Sequence, residues 1–342
     1  QKSNEGAIKF FLLGVLSASL ILYGFSLLYG LTGELIFSEI SKILLVNNLS
    51  TSPAALLSVM LILAGIGFKI SVVPFHSWAP DTYEGSPLPV TAYLSVSSKA
   101  TGFVALMIIL TKVFPDSGSS WGIVLVFISG LTMFIGNLSA LQQSNPVRLL
   151  AYSSIAQAGF ILAPLAVAGI SGDYADGIYA SVTYLIIYAF MNLGAFLVVN
   201  VLINTSGSND IYEWGGLAKH QPLTAIFTTV FFFSLAGIPP LGGWFAKFVV
   251  FRSLLSTGEV YGITLAIIGA INAVIGLVFY ARISKIIWMD SPSENITINT
   301  KPVLLSPLKV VGFISLVITF LAGIFPNIFS NLGNASALFF NS

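Results

Sequence analysis

The chain has 342 residues, of which 56% are hydrophobic and only 8% charged, with a formal net charge of +1. A soluble domain carries about 25% charged residues, so these few charges cannot coat a water-facing surface of this size, and a net charge near zero gives no electrostatic case for nucleic acid as a partner. The expectation is an all-α polytopic membrane protein surrounded by lipid.

Cysteine is absent, and the histidines are His76 and His220. Iron–sulfur clusters need cysteine ligands and structural zinc usually does. The spacing G-x-G-x-x-G does not occur, and its nearest approach, Gly65-Ile-Gly67, sits in an apolar run. No redox centre, nucleotide site or metal is therefore expected on this chain.

The chain begins Gln-Lys-Ser-Asn-Glu, with neither Met nor a charged-then-apolar signal pattern, and apolar sequence follows at once. This leads to the expectation that an N-terminal part is missing. About nine apolar segments then approach the roughly 20 residues a bilayer requires: 7–30, 53–73, 90–114, 121–141, 147–170, 178–203, 223–255, 261–289 and 308–328. Nothing alternates at the two-residue period of a barrel, so all are read as helices. The segment 53–73 runs into Pro74, Phe75, His76, Trp78 and Pro80, and can resume past that break. The segment 223–255 is too long for one span and is interrupted by Gly-Ile-Pro-Pro-Leu-Gly-Gly at 237–243.

Nine spans place the two ends of the chain on opposite sides. The N-terminal side collects Lys2, Arg148, Lys219, Arg282, Lys285, Lys301 and Lys309, against Lys42, Lys112 and Arg252 on the other. The positive-inside rule then puts the first residue in the cytoplasm and the C-terminus outside, with the basic loop 282–309 dominating. The two broken segments share a design, each carrying one lysine beside its break: Lys69 before Pro74, and Lys247 after Pro239-Pro240. They cross in opposite directions, which is the mark of an inverted repeat with an ion site at the breaks.

A lysine at the centre of a spanning helix costs about 2.5–3.5 kcal/mol on insertion scales, a cost with no return in packing. Burial disfavours its charged form, and a lysine that exchanges its proton is what a proton relay needs. The plainer reading is snorkelling, with the stem in lipid and the ammonium at the headgroups. Lys99 lies nine residues into its span, roughly 13 Å deep by helical rise, and Lys247 lies eight residues before the end of its segment beside a break. Both are read as functional. Lys69 reaches an interface if its helix stops at Val73 and lies mid-membrane if it resumes. Lys9, Lys112, Arg252, Arg282 and Lys285 lie near span ends, where snorkelling is the better reading. His76, with an ordinary pKa near 6.5, is a candidate proton carrier or a hydrogen-bonded structural residue. Tyr184 and Tyr188, one turn apart, are candidates to bridge polar groups, with core packing the alternative. Trp78 and Trp244 are read as packing or interface residues. All thirteen acids fall in loops or at span ends, so the carboxylate that usually accompanies a buried lysine is expected on a segment or subunit outside this chain.

The stretch GFKISVVPFHSWAPDTYEGSPLPVTAYLSVSSKATGF resembles the antiporter-like membrane subunits of respiratory complex I and their Mrp-antiporter relatives. So do RLLAYSSIAQAGF at 148–160, YAFMNLGAF at 188–196 and SLAGIPPLGGWFAKFVVF at 234–251. YEGSPLPV followed by LSVSSK is similar to one branch in particular, which is shared with the photosynthetic NDH complex. The resemblance implies a 14-helix fold of two inverted five-helix repeats, entered here at the sixth helix. A single membrane domain, 1–342, would then hold the rest of the first repeat at 7–114, the second repeat at 121–289 and a C-terminal helix at 308–328.

It further implies that Lys69, Lys99 and Lys247 are the lysines of the first broken helix, the central relay and the second broken helix, that His76 matches the family's histidine, and that a glutamate on an earlier helix pairs with Lys69. The implied function is that of a non-redox, proton-translocating subunit of a respiratory NADH-quinone oxidoreductase. NADH, FMN, iron–sulfur clusters and quinone would lie on other subunits, and its partners would be other membrane subunits, including a neighbouring antiporter-like one. The alternatives are a subunit of an Mrp-type cation/proton antiporter, one of a related ferredoxin- or F420-dependent complex, and a scaffold whose lysines only bind neighbours. A bacterial inner membrane is the expected location, with a thylakoid the alternative.

Overall fold

The computed structural model describes residues 2–291 and 306–341. Among them every regular element is helical. In chain order these are α1 (Lys2–Thr32), α2 (Phe37–Val46), α3 (Pro53–Ile70), α4 (Trp78–Gly85), α5 (Leu88–Tyr93), α6 (Lys99–Lys112), α7 (Gly118–Leu141), α8 (Pro146–Ser171), α9 (Tyr174–Ser206), α10 (Leu217–His220), α11 (Pro222–Ala236), α12 (Gly242–Ser256), α13 (Val260–Met289), α14 (Ser306–Ile324) and α15 (Asn327–Asn341). A π-helical turn, Leu94–Ser98, joins α5 to α6 into one rod.

The element ends follow local chemistry. Ser52 caps α3 by accepting from the Ala55 amide, with Pro53 in the first turn. Asn145 caps α8 by accepting from the amides of Val147 and Arg148, with Pro146 behind it. Both satisfy donors that a helix start leaves open. Asp173 does the same for α9, while α8 and α9 end at the left-handed Gly172 and Gly207.

Among the described residues seven helices are long and apolar enough to cross a membrane, and eight if α14 and α15 count as one bent span. The expected count of nine is not confirmed. The 223–255 segment divides into α11 and α12, each of 15 residues and too short to span alone. At the C-terminal end, α15 turns 88° from α14 and packs along α9, where Tyr179 hydrogen-bonds Ser330 at 2.8 Å. The helix α2 has no counterpart among the expected segments. Its Ile40 and Leu44, one turn apart, are buried while Leu45 and Val46 stay exposed.

The bundle centres on α8, whose apolar window is 94% buried, against 17% for α1. Helices α7 and α8 form the closest pair. At Gly136 an added Cβ would stand 2.5 Å from the Ala156 amide nitrogen, so only glycine lets the backbones meet there. Side-chain bonds sort the helix ends onto two opposite faces. On one, Lys9 of α1 donates to Asp81 of α4, and Arg148 of α8 donates to Asp81 at 2.7 Å and Glu84 at 2.9 Å; Arg282 of α13 donates to the carbonyls of Leu141 and Gln143. On the other, Tyr174 donates to the Pro115 carbonyl and Arg252 pairs with Asp176. The basic residues Lys301 and Lys309, which weigh in the expected orientation, lie outside the residues whose side chains are described.

Burial alone would raise the Asp81 pKa, but the hydrogen bonds from Lys9 and Arg148 outweigh it and hold the carboxyl below its ordinary value. A lowered folded pKa stabilises the native state above the unfolded value, near 3.9, and that stability is lost as pH falls through the folded one. Thermal melting of the purified protein should therefore decline on the acid side of about pH 4, and Arg148→Gln should flatten that decline while lowering the melting point at neutral pH. An acid limb with the same shape in the variant would show that this cluster does not tie α1, α4 and α8 together.

Candidate functional site

Two helix breaks and one π turn bring the chemistry-bearing side chains into the bundle. A helix end leaves its last four carbonyls without partners inside the helix. For α11 these are Phe233, Ser234, Leu235 and Ala236. Gly237, left-handed at φ +94°, returns its amide to Phe233 and Ser234, and the Ile238 amide also reaches Phe233. The other two carbonyls take Lys247: its Nζ donates to Leu235 O at 3.1 Å and Ala236 O at 2.6 Å. Its ammonium also lies 5.1 Å from the centre of the Phe160 ring, within cation–π range. Lys247 is only 6% exposed. The negative end of a helix dipole is a favourable place for a cation, and here it stands where a carboxylate would otherwise be needed.

Lys99 is 1% exposed. It opens α6 directly after the π turn, and its Nζ donates to Ser154 O at 2.6 Å and Ser154 Oγ at 3.0 Å. Such turns are rare and are frequent at functional sites. This one is gripped from α9, where Tyr188 donates to the Ser95 carbonyl at 3.3 Å and Asn192 donates to Ser95 Oγ at 2.9 Å. The expectation that Tyr184 and Tyr188 bridge polar groups thus resolves into two different contacts. Tyr188 holds the turn before Lys99, and Tyr184 donates to Gln157 Oε1.

Between the two buried lysines runs α8, with Ser153, Ser154 and Gln157 in adjacent turns. Ser153 Oγ lies 2.5 Å from the Tyr280 hydroxyl. Gln157 Nε2 donates to Tyr280 at 3.3 Å and to the Leu235 carbonyl at 3.2 Å, the same carbonyl that Lys247 uses. These residues were not singled out in the sequence. The available signal was three polar residues inside an otherwise apolar span.

Lys69 differs. Helix α3 stops at Ile70, Ser71 turns left-handed at φ +59°, and the chain resumes only as the short α4. Lys69 therefore sits in the last turn of its helix, exposed, in an apolar groove of about 380 Å³ lined by Phe10, Ser17, Phe68 and Thr101. Its stem lies against Gly102, one turn beyond Lys99. Among the described residues no ion pair reaches Lys69, Lys99 or Lys247. His76 is half-buried in the connection between α3 and α4, and none of the described hydrogen bonds joins it to any of the three lysines.

A polytopic bundle with paired helix breaks and lysines set against carbonyls and hydroxyls defines a class of ion-translocating membrane proteins. Residues 1–276 match the family described as NADH:quinone oxidoreductase/Mrp antiporter, TM, and the chain belongs to that family. NADH-quinone oxidoreductase subunit N of Moorella thermoacetica is 40% identical over 340 residues, which cover 99% of this chain and 68% of that protein. NAD(P)H-quinone oxidoreductase subunit 2 of Picosynechococcus is 41% identical over 334 residues, covering 95% of this chain and 62% of its own length. Among solved structures, a chain of respiratory complex I from Thermus thermophilus with bound aureothin matches with a TM-score of 0.76 at 28% identity, over 96% of this chain and 68% of that one. A chain of the Mrp complex from Dietzia matches with a TM-score of 0.83 at 23% identity, over 97% and 67%, a likeness of fold.

Proposed function

We propose that the chain is a proton-translocating membrane subunit of a respiratory NADH-quinone oxidoreductase and carries no redox chemistry of its own. Lys99 and Lys247 would exchange protons through the bundle while electron transfer proceeds on other subunits, which would hold the NADH site, FMN, iron–sulfur clusters and quinone. The observation that carries this reading is the pair of lysines buried inside the bundle on neutral oxygens, on either side of α8 and joined by its polar residues. The relatives named as NADH-quinone oxidoreductase subunit N support the choice of complex.

Lys69 would be the lysine of the first broken helix in the same relay, with His76 a proton carrier and Tyr188 holding the turn that aims Lys99. The open groove around Lys69 suits a helix that brings a carboxylate, supplied by another segment or subunit. The N-terminal end would face the cytoplasm, in a bacterial inner membrane.

The test is donor-driven acidification of inverted membrane vesicles containing the assembled complex. NADH with quinone should produce an inward proton gradient that collapses with a protonophore. A gradient that appears only with sodium as counter-ion, and without any electron donor, would replace this reading with an Mrp-type cation/proton antiporter.

A further inference from the structure

Gln157 is the most fully engaged amide in the interior. It is 3% exposed, on the most buried helix of the bundle. Its oxygen accepts from Tyr184 of α9, and its nitrogen donates to the Leu235 carbonyl of α11 and to the Tyr280 hydroxyl of α13. One side chain thus ties α8 to three other helices. Both of its donor hydrogens are spent, which fixes which end of the amide faces which partner.

Two consequences follow from that fixed orientation. Tyr280 accepts from Gln157 and shares a second hydrogen bond with Ser153, at 2.5 Å, in which either hydroxyl can donate; the amide holds that hydroxyl in place. Leu235 O carries two donors, one from Gln157 and one from Lys247. A carbonyl has two lone pairs, so the amide fills one and leaves the other to the ammonium. The Leu235 carbonyl lies at the end of a broken helix, where it has no partner inside the helix to hold its direction, and Gln157 supplies that hold.

We infer that Gln157 is a positioning residue for Lys247: it fixes the carbonyl on which the lysine sits and the hydroxyl that leads from there toward Ser153 and the Lys99 side of α8. It takes up no proton itself, because an amide has no titratable group in the working range. This inference deepens the proposed function and rests on it.

The experiment uses the whole complex in inverted vesicles and compares wild type, Gln157→Leu, Gln157→Glu and Lys247→Ala. Assembly is followed on native gels, and turnover and the proton gradient are followed from pH 5.5 to 9. Gln157→Leu removes every hydrogen bond at nearly constant volume. Gln157→Glu keeps the shape and the acceptor for Tyr184 but removes both N–H donors and places a titratable group beside the Leu235 carbonyl on which Lys247 sits. The expected result is normal assembly, at least a tenfold slower gradient at pH 7 in both variants, and a displaced pH profile in the assembled Gln157→Glu complex, which a merely structural role would not produce.

If Gln157→Leu does not assemble, the isosteric glutamate decides. An assembled glutamate variant with the wild-type profile overturns the inference, and so does failure of both variants to assemble, since the residue would then serve only folding. If Lys247→Ala pumps normally, it is the proposed function that fails. If Lys247→Ala is inactive while both Gln157 variants match wild type, only the inference fails.

Discussion

Lys99→Ala should assemble normally and lose at least nine-tenths of donor-driven proton transport. The buried ammonium rests on one carbonyl and one hydroxyl of Ser154, with no carboxylate in its hydrogen bonds, so removing it strands no opposite charge. It also removes an insertion cost of about 2.5–3.5 kcal/mol, which offsets much of the packing lost with a long side chain. A defect in transport would thus not come from a defect in assembly, and a native gel run beside the vesicle assay checks this. Lys99→Arg is the sharper companion. Arginine keeps the charge and the donors but does not release its proton in proteins. It should assemble and fail to pump as completely as alanine. If the lysines served only to bind neighbouring subunits, Lys99→Arg would pump like wild type, and the relay reading would fall.

Gly237→Ala should reduce both stability and transport. Glycine adopts φ +94° without steric cost, whereas an alanine there is strained by about 1–3 kcal/mol. The added methyl group would also stand 2.8 Å from Lys247 Cδ. The lysine stem can move aside, but only by carrying Nζ away from Leu235 O and Ala236 O. We expect a lower melting temperature and a gradient at least tenfold slower than wild type. Gly237→Asn separates the two effects, because asparagine tolerates left-handed backbone better than alanine yet still carries a Cβ. It should recover part of the stability and none of the transport. A Gly237→Ala complex that melts and pumps like wild type would show that the close approach of Lys247 to the break has no function.

Much of this site was legible in the chain, and the boundaries of legibility have physical reasons. Proline and glycine mark broken helices directly, so both breaks were visible. A lysine nine residues into an apolar run has nowhere to snorkel, so the burial of Lys99 was visible too. The fate of Lys69 turned on whether α3 resumed beyond Pro74, which the sequence left open; the left-handed Ser71 ends the helix and leaves Lys69 in a groove. The π turn at Leu94–Ser98 has no residue signature, because its extra residue is held from α9 by Tyr188 and Asn192. Ser153, Gln157 and Tyr280 become a set only when α8, α9, α11 and α13 are packed together. The count of spans departed from expectation where length misled: 223–255 is two half-helices, and the right-angled bend before α15 depends on packing against α9.

The second break has one more consequence. At an ordinary lysine–carboxylate pair, a departing proton leaves a naked anion behind in an apolar interior, and the attraction of that anion must be overcome each time. The C-terminal end of α11 offers Lys247 a partial charge of about −0.5 spread over backbone carbonyls, and that charge is part of the covalent chain whether the lysine is protonated or neutral. Losing the proton then leaves a neutral amine among weak dipoles rather than half of a broken ion pair. If the relay operates as proposed, a change in field from a neighbouring subunit would shift Lys247 between its charged and neutral forms without a carboxylate of its own to swing.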